Sequence, residues 1–187
     1  MSAFNYLAVL ISIVLGLGLT NVLTGLAGIV RQRARIKMYW PLLLWLLILF
    51  LVHVQVWWAM FELRVIVQWN FVGFLAVLLL PVLLFLASAV LVPDLSGEGP
   101  FDLREIYFRE ASWFFAGIVA MLVASLIRTP LVTGHLTNPT DLGAHLLFIG
   151  IATSMIFVRN ELVHRLGAAL AVVLYSAYIA TLFVNLA

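Results

Sequence analysis

The feature that most constrains this chain is an apolar run, close to one membrane crossing in length, that recurs six times within 187 residues. The hydrocarbon of a bilayer is about 30 Å thick and a helix rises about 1.5 Å per residue, so about 20 mostly apolar residues make one span. Within lipid no water satisfies backbone N–H and C=O groups, which leaves helices as the structure such runs can adopt. Composition agrees, with 65% of residues hydrophobic and 10% charged, against about 45–50% and about 25% in soluble domains. The sequence predicts an all-α, polytopic transmembrane bundle of six helices in a single domain covering 1–187. Spans are expected at 4–30, 38–61, 68–92, 108–128, 139–158 and 166–187, with inner loops at 31–37, 93–107 and 159–165.

Local signals place several boundaries. Arg31, Arg33, Arg35 and Lys37 close the first run, and Glu62 and Arg64 close the second. Pro93-Asp94 and the glycines before Pro100 supply turn chemistry after the third. Asp102 followed by Glu105 reads as a capping box, with residues 101–110 as an interfacial helix leading into the fourth span. Asn138-Pro139-Thr140-Asp141 combines a cap, a proline at the first helical position and an acid in the first turn. Pro41 falls in a first turn, where it is harmless, whereas Pro81 falls mid-span and should kink its helix.

Orientation follows from the cations. Eight of ten (Arg31, Arg33, Arg35, Lys37, Arg104, Arg109, Arg159 and Arg165) fall after spans one, three and five, and only Arg64 and Arg128 fall after two and four. The positive-inside rule then puts both termini on the outer, periplasmic side of a bacterial-type inner membrane, as a multi-pass protein. The basic cluster follows the first apolar run instead of preceding it, so that run is expected to remain as a helix and not to be cleaved as a signal peptide. Arg31, Arg33, Arg35 and Lys37 are expected to set topology and to attract anionic membrane lipid, at about 1 kcal/mol per cation.

Several function classes are excluded. There is no cysteine, which removes disulfides, thiolate metal sites and thiol nucleophiles, and the net charge of +2 gives no electrostatic basis for binding nucleic acid. No Gly-x-Ser-x-Gly, His-Glu-x-x-His or phosphate-loop pattern occurs, and Gly16-Leu17-Gly18 lacks the preceding strand and following acid of a dinucleotide site. No catalytic residue and no metal site is assigned. The protein is read as non-enzymatic.

Two patterns remain. In span one, Ser12, Gly16, Thr20, Thr24 and Gly28 follow one another at four-residue spacing, with Asn21 beside them. Small residues let helices approach closely in lipid, and a buried amide adds a hydrogen bond. This ridge is expected to pack on another span of the same subunit, with a self-association seam as the alternative. Trp40 at one end of span two and Trp57 and Trp58 at the other fit aromatic belts at the two interfaces.

The second pattern is polar. On the expected topology His53, Gln55, Gln68, Asn70 and His145 fall in the outer half, with Glu62, Arg64, Arg128, His135 and Asp141 at its edge. Polar groups cost several kcal/mol when unpaired in hydrocarbon, so each is a candidate site. One reading is a homo-oligomeric channel or small-solute transport unit, with His53 as its deepest titratable group. A second is an accessory or scaffold subunit docked on a membrane protein partner. A third is an electron carrier whose haem is held between His53 and His145; no cofactor is otherwise expected. The charges of the inner loops, with His164 among them, read as solvated side chains paired locally.

Overall fold

The computed structural model describes residues 3–66 and 68–182, with the backbone alone at 3 and 182. Among the described residues, six helices are long and apolar enough to cross a membrane: α1 (Ala3–Arg31), α2 (Trp40–Ala59), α3 (Phe71–Leu91), α4 (Leu103–Thr133), α5 (Pro139–Phe157) and α6 (Glu161–Leu182). The architecture is consistent with an integral, multi-pass membrane protein. Residues 183–187 of the expected sixth span lie outside the described residues.

The caps expected from sequence form. Asp102 accepts from the backbone N–H of Arg104 and Glu105 at 2.8 and 3.4 Å, and Asn138 accepts from Thr140 N at 2.9 Å. Pro41 lies in the first turn of α2, and Pro81 is buried within a helix that continues to Leu91. At the end of α4, Gly134 takes a left-handed φ of 71° and its N–H reaches Pro130 O. Glycine is favoured there because a Cβ would clash with the adjoining carbonyl.

α4 and α6 differ from the expected spans. Charged Arg104, Glu105, Arg109 and Glu110 belong to α4 itself, and α6 begins at Glu161 instead of Leu166. Thirty-one residues make α4 about 46 Å long, well beyond about 30 Å of hydrocarbon, so the helix is long enough to carry charged first turns in addition to a full span.

In packing order the helices close a ring, α1 against α2, α2 against α6, then α5, α4, α3 and back to α1. The most extensive interface is α3 on α4. α2 also reaches across the ring to α3 but only grazes α4. One half of the ring is therefore filled, and the half bounded by α2, α4, α5 and α6 is loosely packed. Trp45 sits edge-on to Phe114 and Phe115, with ring centroids 5.7 and 5.0 Å away. Such edge-to-face pairs add about 0.5–1.5 kcal/mol beyond the area they bury.

The small residues of α1 divide between two faces. Its buried face is Ile11, Leu15, Gly18, Val22, Gly25 and Ile29, a heptad rhythm, whereas Gly16, Thr20 and Thr24 are exposed. The reason is geometric: a four-residue step advances about 40° beyond a full turn, so five such residues wind about 160° around the helix. A heptad drifts only about 20°. Asn21 does bond across to α3, its Nδ2 donating to Ser88 Oγ at 3.3 Å. A methyl at Gly25 would stand 2.6 Å from Val92 Cγ1, and one at Gly18 would overlap His53 Nε2.

At one end of the bundle the loops are clamped together. Residues Ile36–Lys37 and Phe101–Asp102 pair as two short parallel strands, Ile36 opposite Phe101 and Lys37 opposite Asp102. Gln32 Nε2 donates to Leu95 O at 2.7 Å, Arg35 donates to Gly97 O and Gly99 O at 3.2 and 2.9 Å, and Lys37 pairs with Asp102 at 2.9 Å.

Candidate functional site

The opposite end is hollow. A cavity of about 560 Å³ opens there between α2, α4, α5 and α6, with Glu62, Arg128, Asp141, His145 and Tyr178 in its wall. A second, narrow cavity of about 120 Å³ continues inward, and the two share Gln55, Val56, Leu80, Ser125, His145 and Tyr178. The inner lobe is walled by side chains such as Trp45, Leu49, Phe114, Ile118 and Met121. Along α2 its wall runs from Trp45 to Val56, about 16 Å of helix.

Helical spacing decides which polar groups meet here. Asp141 and His145 are one turn apart on α5, and Tyr175 and Tyr178 share a face of α6. Tyr178 OH donates to Asp141 Oδ1 at 2.8 Å. His145 Nδ1 lies 3.1 Å from the same carboxylate oxygen and 2.9 Å from the Asp141 carbonyl, which fixes the ring and makes Nδ1 the protonated nitrogen. Its Nε2 has no hydrogen-bond partner among the described residues. Tyr175 OH donates to Gln55 Oε1 at 3.3 Å. Asp141 gains further support from the first turn of α5, where backbone N–H groups and the helix dipole favour an anion.

Arg128 is the exception to this pairing. No hydrogen bond or ion pair of its guanidinium is found among the described residues, and its Nε is buried without a partner. Glu62 and Asp141 act on it only through space. Arginine presents several donors in a planar fork suited to a carboxylate or phosphate.

Of the polar residues singled out by sequence, Gln55, Glu62, Arg128, His135, Asp141 and His145 line this cavity, and His53, Arg64, Gln68 and Asn70 do not. His53 lies two residues from Gln55, about 200° around the helix, and so faces the other way. It is buried against Gly18 of α1; its Nδ1–H donates to Leu49 O at 2.7 Å and its Nε2 has no partner. His53 lines neither of the two cavities. Asn70 caps α3, accepting from Gly73 N at 2.7 Å, and Gln68 is exposed. Arg31, Arg33, Arg35 and Lys37 are all exposed at the clamped end.

The structure adds residues that polarity did not mark. Tyr175 and Tyr178 are absent from the sequence reading, although their spacing was a usable signal. His164 is not the solvated loop residue that its charged neighbours suggest. It is fully buried at the clamped end, where Nδ1 accepts from Tyr107 OH at 2.7 Å and Nε2–H donates to Val158 O at 2.8 Å. Around it the expected local pairs do form, Arg104 and Arg165 with Glu161 and Arg109 with Glu110.

Compared with known proteins, the chain matches no protein family, no curated protein and no solved structure.

Proposed function

We propose that this is a non-enzymatic small-solute binding and transport unit of a bacterial-type inner membrane. On this reading both termini and the cavity mouth face the periplasm, as the distribution of cations suggests. The observation that carries it is the one-ended cavity, polar at the mouth and apolar within, beside an opposite end drawn together by strand pairing and side-chain bonds. A site that solute enters from one side, with the other side sealed, is what a transport unit presents in one of its two conformations. A simple pore through the single bundle would instead need a path through the clamped loops.

The natural chain has no cysteine, so any introduced cysteine is the sole thiol. Ser125→Cys, in the wall shared by both cavities, is expected to react with a membrane-impermeant maleimide from the periplasmic side. Ser88→Cys, buried between α1 and α3, is expected to stay unlabelled. Failure of Ser125→Cys to label from either side removes the cavity as a solute site, and labelling from the opposite side alone reverses the orientation.

A second reading, a self-associating subunit or one docked on a membrane partner, is favoured by the exposure of Gly16, Thr20 and Thr24 on α1. Native mass spectrometry from lipid nanodiscs separates the cases. A closed oligomer or a second polypeptide supports it, and a stable monomer removes it.

A further inference from the structure

We infer that the ligand of the cavity is a single-chain amphiphile with an anionic head, the head held at Arg128 and the chain in the apolar lobe. This rests on the cavity reading above and names its ligand. Two independent features select the class. At the mouth, Arg128 is a half-buried cation whose Nε donor is buried and unpartnered, whereas the nearest acid on α5, Asp141, already accepts from Tyr178 and His145. Glu62 lies exposed at the rim and opposes an anion only from there. A carboxylate or phosphate can take the guanidinium donors, and Tyr178 and His145 border the same space.

Below the mouth the wall changes character within about one helical turn. Past Gln55, Ser125 and His145 the lobe is lined by Val52, Leu49, Ile48, Phe114, Met121 and Trp45. A free phosphate or small hydrophilic solute would leave this lobe unused, and polar groups inside it would find few partners. An aliphatic chain fills it without that cost. The size also matches, since a lobe of about 120 Å³ whose wall follows α2 from Val52 to Trp45, about 10 Å of helix, suits one chain better than two.

The test uses the full-length Ser125→Cys protein in nanodiscs and reads slowing of maleimide labelling by four probes. These are dodecanoate, dodecyl phosphate, dodecanol and inorganic phosphate. Labelling without any probe reports on the cavity itself, so a failure there is separate from a failure of the ligand class. Dodecanoate and dodecyl phosphate are expected to protect at concentrations at least tenfold lower than dodecanol or inorganic phosphate. Arg128→Gln in the same background should weaken protection by dodecanoate at least tenfold while the probe-free labelling rate is kept. Should Arg128→Gln not fold, Ala171→Leu, which narrows the buried lobe wall, is the second variant, and it should weaken both amphiphiles but not inorganic phosphate. Equal protection by dodecanol overturns the anionic head. Equal protection by inorganic phosphate overturns the chain, and protection by none of the four overturns the inference as a whole.

Discussion

The two ends of the bundle use the same pair of residue types for different purposes. At the clamped end His164 meets Tyr107, and at the cavity end His145 meets Tyr178 through Asp141. His164 has both ring nitrogens satisfied, one by a hydroxyl and one by a carbonyl, and it is enclosed edge-on by Tyr107 and Phe108 with centroids 5.3 and 4.9 Å away. His145 has one nitrogen held by Asp141 and the other without a partner among the described residues, beside a cavity. A buried polar group with every bond made contributes rigidity, whereas one with a bond left over is available to a ligand. The difference lies in satisfaction, not in residue identity.

Removing each histidine sharpens that contrast. His164→Ala deletes a packed ring and leaves the Tyr107 hydroxyl buried without its partner. It should lower stability by about 2–4 kcal/mol, read as a large fall in the thermal midpoint in detergent. His145→Ala removes a ring that already borders open space, and the loss should stay below about 1 kcal/mol, since water can take up the freed Asp141 acceptors. Equal losses for the two variants would break the distinction between a structural and a functional end.

The tyrosines give a finer version. Tyr107→Phe keeps the ring and removes the donor to His164 Nδ1, which is buried and has no other source; about 1–2 kcal/mol is expected. Tyr178→Phe leaves Asp141 its bond to His145 and its place at the cavity wall, so about 0.5 kcal/mol is expected. Thermal unfolding of the two variants under one set of conditions decides, and a larger loss for Tyr178→Phe would reverse the assignment.

Much of the fold was legible because lipid imposes a length. Six runs of the right size, with Asp102 and Asn138 at helix starts, locate the helices without any tertiary information. The cap of α4 at Asp102 was legible, but the unbroken run of that helix into the fourth span was not, because Arg104, Glu105, Arg109 and Glu110 look like the end of a span when polarity alone marks it. The candidate site was half legible. Polarity picks out Gln55, Glu62, Arg128, His135, Asp141 and His145, but it cannot tell Gln55 from His53, whose opposite direction follows from helical phase. Tyr175 and Tyr178 carry no mark of their own until Asp141 is known to face Tyr178 from α5. His164 was misread for a similar reason: its burial depends on Tyr107, 57 residues away in sequence, while its near neighbours Glu161 and Arg165 are charged. Contacts between distant helices leave no local pattern, and both the site and the seal are made of such contacts.

The smallest expected effect concerns the ionic part of the clamp. The hydrogen bond from Lys37, with help from the backbone N–H groups of Arg104 and Glu105, holds the Asp102 carboxyl below the usual carboxylate range. A depressed folded value means that this contribution is present above the unfolded value, about 3.9, and is lost as pH falls through the folded one. Both partners are partly exposed, Lys37 at 75% of its side chain and Asp102 at 30%, so solvent screens the pair. Asp102→Asn removes the charge but keeps an N-cap of nearly equal quality, which separates the two roles of the residue. It should cost less than about 1 kcal/mol at neutral pH, and the difference from wild type should shrink further below about pH 4 and in high salt. A loss as large as that of His164→Ala would mean that charge, and not packing around the buried histidine, holds this end together, and the thermal midpoint measured against pH for the two variants distinguishes them.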